Sequence, residues 1–166
     1  SPLGATPTPH GVNFSIYSRT ATGMELVLFE HVDDRTPARV ITLDPLHDRT
    51  FHYWHVHVAG LQVGQLYGWR AHGPNAPEKG LRFDPSKLLL DPYARIVAIP
   101  AEYSRDKARS QGDTTATAMR SVVADRRGYN WEGDVPLSRP FSETVIYEMH
   151  LAGFTRHPSS GLKAQD

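Results

Sequence analysis

The most constraining feature of this sequence is a series of short apolar segments broken by turn-forming residues, at roughly 8–12-residue spacing over about the first 100 residues. In residues 12–17, apolar and polar side chains alternate, which is typical of a strand with one buried face. Residues 26–29 are apolar on both faces, which indicates an interior position in a sheet. Further strands are predicted at residues 39–43, 53–59 and 66–73. The spacing predicts an all-β sandwich.

The composition suits a globular protein and argues against several function classes. Hydrophobic residues make up 39% of the 166 residues and charged residues 22%, which is ordinary for a domain with a sizeable core. Lys plus Arg equals Asp plus Glu, at 18 each, so charge-driven binding of nucleic acid or of a membrane surface is not expected. Cysteine is absent, which excludes disulfides and thiolate metal sites and favours the cytoplasm. No apolar run approaches the roughly 20 residues of a membrane span.

The remainder of the chain is richer in loops. Residues 73–85 contain three prolines and are predicted to form a loop. Residues 94–99 and 119–124 are further strand candidates, and residues 103–117 are polar without a clear period, which predicts a loop or mobile segment. Residues 128–140 form a polar connector. No amphipathic helix of twelve or more residues is predicted.

The sequence offers no complete set of catalytic residues. Glycoside hydrolysis needs two carboxylates held across the scissile bond, and the candidates for that role are Asp84, Asp91, Asp134, Glu143 and Glu148. The three aspartates lie in or near proline-containing turns, where Asp commonly satisfies local backbone groups. No Gly-x-Ser-x-Gly elbow and no phosphate-binding loop is present. We therefore predict no catalytic residue and no cofactor in this chain.

Histidines and aromatic residues supply two weaker functional hypotheses. His55 and His57 are two residues apart on a predicted strand and so share a face, which would allow zinc binding if a third ligand were present. A solvent-facing polar face of one sandwich sheet is the simpler interpretation, and the sequence favours it. Trp54, Tyr67 and Trp69 lie in the predicted strands and are candidate carbohydrate-binding residues, because aromatic rings stack on the apolar faces of sugars. Tryptophan in an alternating strand is, however, commonly a core residue.

The segment VIYEMHLAGFTRHP, residues 145–158, begins as an apolar strand and breaks into a glycine-containing loop. Such a strand is costly to leave unpaired, and little chain follows it. It is expected to be the first strand of a larger domain, so the sequence predicts a piece of a longer protein. In this chain alone we expect the segment to dock on a sandwich edge, to pair with another copy, or to fray.

Four segments carry a family resemblance: PLGATPTPHGVNFSIYS (residues 2–18), LYGWRAHGP (66–74), RFDPSKLLLDPYA (82–94) and VIYEMHLAGFTRHP. Together they resemble the bacterial glycogen debranching enzymes of the isoamylase type, which belong to the α-amylase superfamily. The resemblance runs in order over nearly the whole chain. The combination of KLLLDPYA with VIYEMHLAGFT is its most specific part.

The resemblance implies a two-part organisation. Residues 1–140 would be an immunoglobulin-like β-sandwich with its linker, of the type called carbohydrate-binding module family 48. Residues 141–166 would be the truncated start of a catalytic (β/α)₈ barrel, with residues 145–151 as its first strand. Leu88, Leu89 and Leu90 would pack against that barrel.

The resemblance also implies a function for the longer protein. Full-length relatives hydrolyse α-1,6-glucosidic branch points with carboxylates on later barrel strands, so this chain alone is expected to be inactive. The implied partners are an α-glucan such as glycogen or limit dextrin, reached through the parent enzyme, and the barrel of the same chain. No nucleic-acid or membrane partner is implied. Two alternatives stay open: a stand-alone α-glucan-binding module, and an immunoglobulin-like protein-interaction domain, which includes a metal-binding version through His55 and His57.

Overall fold

The computed structural model describes residues 2–125 and 128–162. The chain divides into a first unit, Ser1–Gly128, and a second unit, Tyr129–Asp166, and each is described by itself. In the first unit, the strands are β1 (Gly4–Thr8), β2 (Gly11–Tyr17), β3 (Gly23–Phe29), β4 (Arg39–Leu43), β5 (Arg49–Thr50), β6 (Tyr53–Ala59), β7 (Leu66–His72), β8 (Asn75–Ala76), β9 (Leu81–Arg82), β10 (Ile96–Ala98) and β11 (Arg120–Val122).

The strands form two antiparallel sheets and a small hairpin. The first sheet has the order β1-β2-β6-β5, the second has the order β10-β11-β7-β3-β4, and β8 pairs with β9. Buried side chains of both sheets form one core cluster, in which the Phe14 ring meets the rings of Tyr67 and Trp69 edge-on, at centroid distances of 4.9 and 6.5 Å. The predicted all-β sandwich is therefore confirmed.

The strand β3 is buried on both of its faces. Leu26 and Leu28 belong to the core between the sheets, whereas Val27 and Phe29 form a second apolar cluster with Leu88 on the opposite face. Because β3 also has β7 and β4 as neighbours, its interior position in the sheet, predicted from its continuous apolar run, is confirmed.

The buried side chain of Arg120, the first residue of β11, binds the loop after β3 and the loop before β11. The Arg120 side chain donates to the carbonyl oxygens of Val32 and Thr115 at 3.1 and 3.0 Å, and to that of Asp34. Its guanidinium lies 3.7 Å from the centroid of the Phe29 ring. Burial lowers the pKa of Arg120, while Asp34 and Asp33 act in the opposite direction. The side chain therefore fixes the loop after β3 against β11.

The first unit contains a 3-10 helix, Pro77–Lys79, within the predicted loop of residues 73–85, and a short α-helix that hydrophobic patterning does not predict. Residues 103–117 were expected to form a loop, but α1 (Arg105–Arg109) lies within them. Ser104 caps its N-terminus, since its hydroxyl oxygen accepts from the Lys107 N–H at 3.2 Å. A helix of little more than one turn is too short to show a 3.6-residue apolar period, so hydrophobic patterning could not reveal it.

The second unit contains α2 (Leu151–Thr155) and 3-10 turns at Phe141–Glu143 and Pro158–Ser160. Within this unit, residues 144–150 belong to no strand in the described part of the chain, and Val145 is 94% exposed. A strand exists only with a hydrogen-bonded neighbour, so the expected strand at residues 145–151 is not formed here. Its place in a barrel of a longer protein stays a prediction. Residues 163–166 of the expected barrel start lie outside the described residues.

Among residues 2–125 and 128–162, the structure contains no helix with the length and apolarity that crossing a bilayer requires.

Candidate functional site

The segment of residues 82–94 extends the second sheet beside its central strand. The ladder between β11 and β7 covers Leu66 and Tyr67. Two residues further along β7, Trp69 exchanges both backbone hydrogen bonds with Leu89, at 2.9 and 2.8 Å. The segment therefore lies beside β7 at the point where the pairing of β7 with β11 has ended.

The neighbouring residues fit this close approach. Leu88 is buried, and its N–H donates to the Thr114 hydroxyl at 2.9 Å. A Cβ at Gly68 would lie 2.8 Å from Leu88 Cδ1 and 3.2 Å from the Leu89 carbonyl oxygen. Only glycine leaves room for the segment at this point of β7.

A buried carboxylate at Asp91 anchors the segment to the core. Its oxygens accept hydrogen bonds from the Tyr67 hydroxyl at 2.9 Å, from the Trp69 indole N–H at 3.4 Å and from the Tyr93 N–H at 2.8 Å. The Asp91 N–H in turn donates to the Ser121 hydroxyl at 2.9 Å. A buried carboxylate needs such partners to offset its desolvation, so Asp91 serves as a structural acceptor.

The same network keeps Tyr67 protonated. Burial raises the pKa of the Tyr67 phenol far above its ordinary value, and the negative charge and hydrogen bond of Asp91 raise it further. A phenol in this state donates its proton in a hydrogen bond and does not act as a base.

The three predicted carbohydrate-binding residues lie in the core. Trp54, Tyr67 and Trp69 are each 0% exposed, and the structure brings them together between the two sheets. A ring with no accessible surface cannot stack on a sugar, so in this conformation these side chains serve packing. Sugar contact by any of the three would require its exposure, and it stays a prediction that a binding titration would test.

A different group of aromatic side chains lies on the outer face of the first sheet. We call Tyr17, Phe51, His52 and Tyr53 the outer aromatic cluster. The rings of Tyr17 and Tyr53 meet edge-on with centroids 5.4 Å apart, Tyr17 and His52 are 6.0 Å apart, and Phe51 lies 3.9 Å from His52. Tyr17, Tyr53 and Phe51 are 48%, 42% and 78% exposed.

Part of the arrangement of this cluster can be predicted from the sequence. Alternation places Tyr53 on the opposite face of β6 from Trp54, and Tyr17 on the opposite face of β2 from Ile16. Their cross-strand pairing and the exposed position of Phe51 follow from the sheet register and from the hairpin turn, which the alternation does not specify.

The two strand histidines each face a threonine. His55 Nε2 lies 2.9 Å from the Thr50 hydroxyl, and His57 Nε2 lies 3.3 Å from the Thr8 hydroxyl. Within residues 2–125 and 128–162, no three His, Cys, Asp or Glu side chains come together as metal ligands would. The zinc hypothesis therefore has no third ligand in the described part of the chain.

The remaining candidate carboxylates lie in turns or on the surface. Asp84 accepts from the Ser86 hydroxyl at 2.6 Å and from the Ser86 N–H at 2.9 Å, and these hydrogen bonds hold the pKa of Asp84 below its ordinary value. Asp134, Glu143 and Glu148 are exposed. A general acid needs a raised pKa, so Asp84 is a turn residue and not a proton donor.

The sequence matches carbohydrate-binding module 48, described as the isoamylase N-terminal domain, over residues 2–94, and the chain belongs to this family. The match covers β1 to β9 and the segment anchored by Asp91.

Two similar proteins are named as a glycogen debranching enzyme and as an isoamylase. The chain is 42% identical over 167 residues to the glycogen debranching enzyme of Serratia proteamaculans (strain 568), covering 95% of this chain and 24% of the relative. It is also 42% identical over 168 residues to isoamylase SU1, chloroplastic, of Zea mays, covering 98% of this chain and 21% of the relative. The chain thus spans about a quarter or less of the length of these relatives.

A solved structure with a similar fold is a pullulanase from Paenibacillus barengoltzii in complex with maltohexaose and alpha-cyclodextrin. The TM-score is 0.59 at 25% identity, over 98% of this chain and 21% of the pullulanase chain.

Proposed function

We propose that this chain is the non-catalytic N-terminal region of a glycoside hydrolase that cleaves α-1,6-glucosidic branch points of glycogen or limit dextrin. One observation carries the proposal: 42% identity to a glycogen debranching enzyme over 95% of this chain, which spans 24% of that relative. The match to the isoamylase N-terminal domain supports the same assignment.

The proposal divides the chain at about residue 140. Residues 1–140 would be the sandwich with its linker, and residues 141–166 the start of the catalytic barrel. The exposed apolar side chains of Val145, Ile146 and Tyr147 support this division. Apolar surface of this kind is unfavourable in water and usually marks a surface that another part of a protein covers.

The sandwich would position and stabilise the barrel. On the segment that runs beside β7, Leu88 is buried in the sandwich, while Leu89 and Leu90 present their side chains to the surface. The backbone below them is fixed by the Trp69–Leu89 pair and by Asp91. A rigid apolar surface suits a permanent contact within one chain.

The proposed compartment follows the parent protein. The Serratia relative is bacterial and the maize relative is chloroplastic, so we propose the cytoplasm for a bacterial parent.

The proposal is tested by comparing this chain with the full product of its open reading frame. Purified residues 1–166 are expected to release no reducing ends from pullulan, glycogen or limit dextrin, whereas the full product is expected to release them. The control is the full product with its predicted barrel nucleophile replaced. Hydrolysis by residues 1–166 alone would contradict the proposal, as would a reading frame with no barrel strands after Asp166.

A further inference from the structure

The outer aromatic cluster gathers aromatic side chains at one end of the first sheet. Tyr17 is the last residue of β2 and Tyr53 the first residue of β6, and the two are cross-strand partners. Phe51 and His52 form the two-residue loop between β5 and β6. Since Ile16 lies in the core on the opposite face of β2, the cluster points away from the sandwich interior.

The backbone at Phe51 is strained. Its φ of 58° lies in the left-handed region, which a bulky side chain rarely occupies and for which glycine is the ordinary choice at a two-residue hairpin loop. The residue in this strained conformation is a phenylalanine that is 78% exposed. Strain that holds an apolar ring in solvent is expected where the ring has a binding role.

The loop is held rigidly. Arg49 Nε donates to the Phe51 carbonyl oxygen at 3.0 Å, and its guanidinium also donates to the Arg19 carbonyl oxygen at 3.3 Å. The same guanidinium lies 4.9 Å from the centroid of the buried Trp54 ring. The backbone that carries Phe51 therefore needs little ordering on binding, which lowers the entropic cost of a complex.

The surface beside the rings carries hydrogen-bonding side chains. The Thr50 hydroxyl and the His55 Nε2 lie 2.9 Å apart. Thr50 precedes Phe51 in the chain, and His55 lies two residues after Tyr53 on β6. Flat apolar rings with neighbouring hydrogen-bonding groups match a ligand that has apolar C–H faces and many hydroxyl groups. They match a charged ligand poorly, because Arg49 is already committed to backbone carbonyls.

We propose that the outer aromatic cluster is a binding surface for a linear α-glucan, with glucose rings stacked on Phe51 and the tyrosine pair. This inference rests on the proposed function, since it names the sugar that the module would hold. It assigns the contact to exposed rings of the first sheet and not to Trp54, Tyr67 and Trp69.

The test is a titration of the 166-residue chain with maltoheptaose, followed by the ¹H–¹³C resonances of aromatic side chains. The resonances of Tyr17, Phe51 and Tyr53 are expected to shift, and cellohexaose, with β-linkages, is expected to shift them less. Tyr17→Ala and Phe51→Gly are each expected to weaken binding by about fivefold or more. The matched control is Tyr103→Ala, which removes an aromatic side chain that is 41% exposed outside the cluster and should leave binding unchanged.

Phe51→Gly separates binding from folding. Glycine relieves the strained φ, so the melting temperature of the variant should be unchanged or higher while binding is weakened. A variant that melts no lower and binds less supports the inference.

Three results would overturn it: no aromatic shift at millimolar maltoheptaose, equal affinity in Phe51→Gly and the unaltered chain, or aromatic shifts that depend only on protein concentration, which would show that a second copy occupies the cluster. None of these results affects the outcome of the hydrolysis experiment, so the proposed function is tested separately.

Discussion

At the scale of single residues, Asp91 shows how a buried charge is accommodated. The Asp91→Asn variant would place an amide NH₂ opposite the Tyr67 hydroxyl and the Trp69 indole N–H, or opposite the Tyr93 N–H. A buried donor would then face another donor, so the free energy of unfolding should fall by about 2 kcal/mol.

Urea unfolding measures this change, with exposed Asp134→Asn as the control that should leave stability within about 0.5 kcal/mol. Equal stability of Asp91→Asn and the unaltered chain would show that the network contributes nothing.

A second residue-scale prediction concerns the pair of Asp44 and His47, whose side chains are 2.7 Å apart. The hydrogen bond and charge of Asp44 raise the pKa of His47 above its ordinary 6.5, and the hydrogen bond with His47 lowers that of Asp44. The stabilisation linked to His47 is therefore present below pH 6.5 and is lost as pH rises through the raised pKa. The part linked to Asp44 is lost as pH falls through its lowered pKa.

NMR titration of the His47 ring reports this directly. In Asp44→Asn the pKa of His47 should drop back toward 6.5. An unchanged midpoint would show that the pair does not form in solution.

At the scale of the elements, the approach of the 82–94 segment to β7 depends on Gly68. In Gly68→Ala the new methyl would lie 2.8 Å from Leu88 Cδ1, so the segment must shift and the free energy of unfolding should fall by about 1–3 kcal/mol. Gly128→Ala is the matched control, because a Cβ there meets no atom within 4 Å. Thermal melting of both variants tests the expectation. Equal melting temperatures would mean that the segment adapts freely.

The elements were predictable where a single period governs the chain. The alternation in β6 and the turn residues around β4 gave both strands their observed bounds, Tyr53–Ala59 and Arg39–Leu43. The five-residue α1 was not predictable, because it depends on the Ser104 cap and carries no apolar period.

The candidate site was predictable only in part. Alternation placed Trp54 on one face of β6 but could not say that this face lies in the core, since that depends on the opposing sheet. The role of Phe51 depends on a left-handed backbone conformation at a residue other than glycine, which sequence propensity disfavours.

At the scale of the whole molecule, the exposed apolar side chains of residues 145–147 are expected to determine whether the chain self-associates. Ile146 is 79% exposed, so the 166-residue chain is expected to self-associate as its concentration rises. Ile146→Asp should reduce this association, whereas Leu46→Asp, at a leucine 86% exposed in the first unit, should not.

Sedimentation velocity over a range of concentrations measures the effect. A monomer at every concentration for the unaltered chain would refute the expectation.

The backbone pair of Trp69 and Leu89 links the surface of the sandwich to its centre. One partner carries an indole with no accessible surface, and the other carries a side chain that is 43% exposed. The two residues are paired directly by backbone hydrogen bonds. A protein surface that packs on Leu89 would therefore also act on the strand that contains Trp69. The fluorescence of that indole would then register whether this side of the domain is covered or bare.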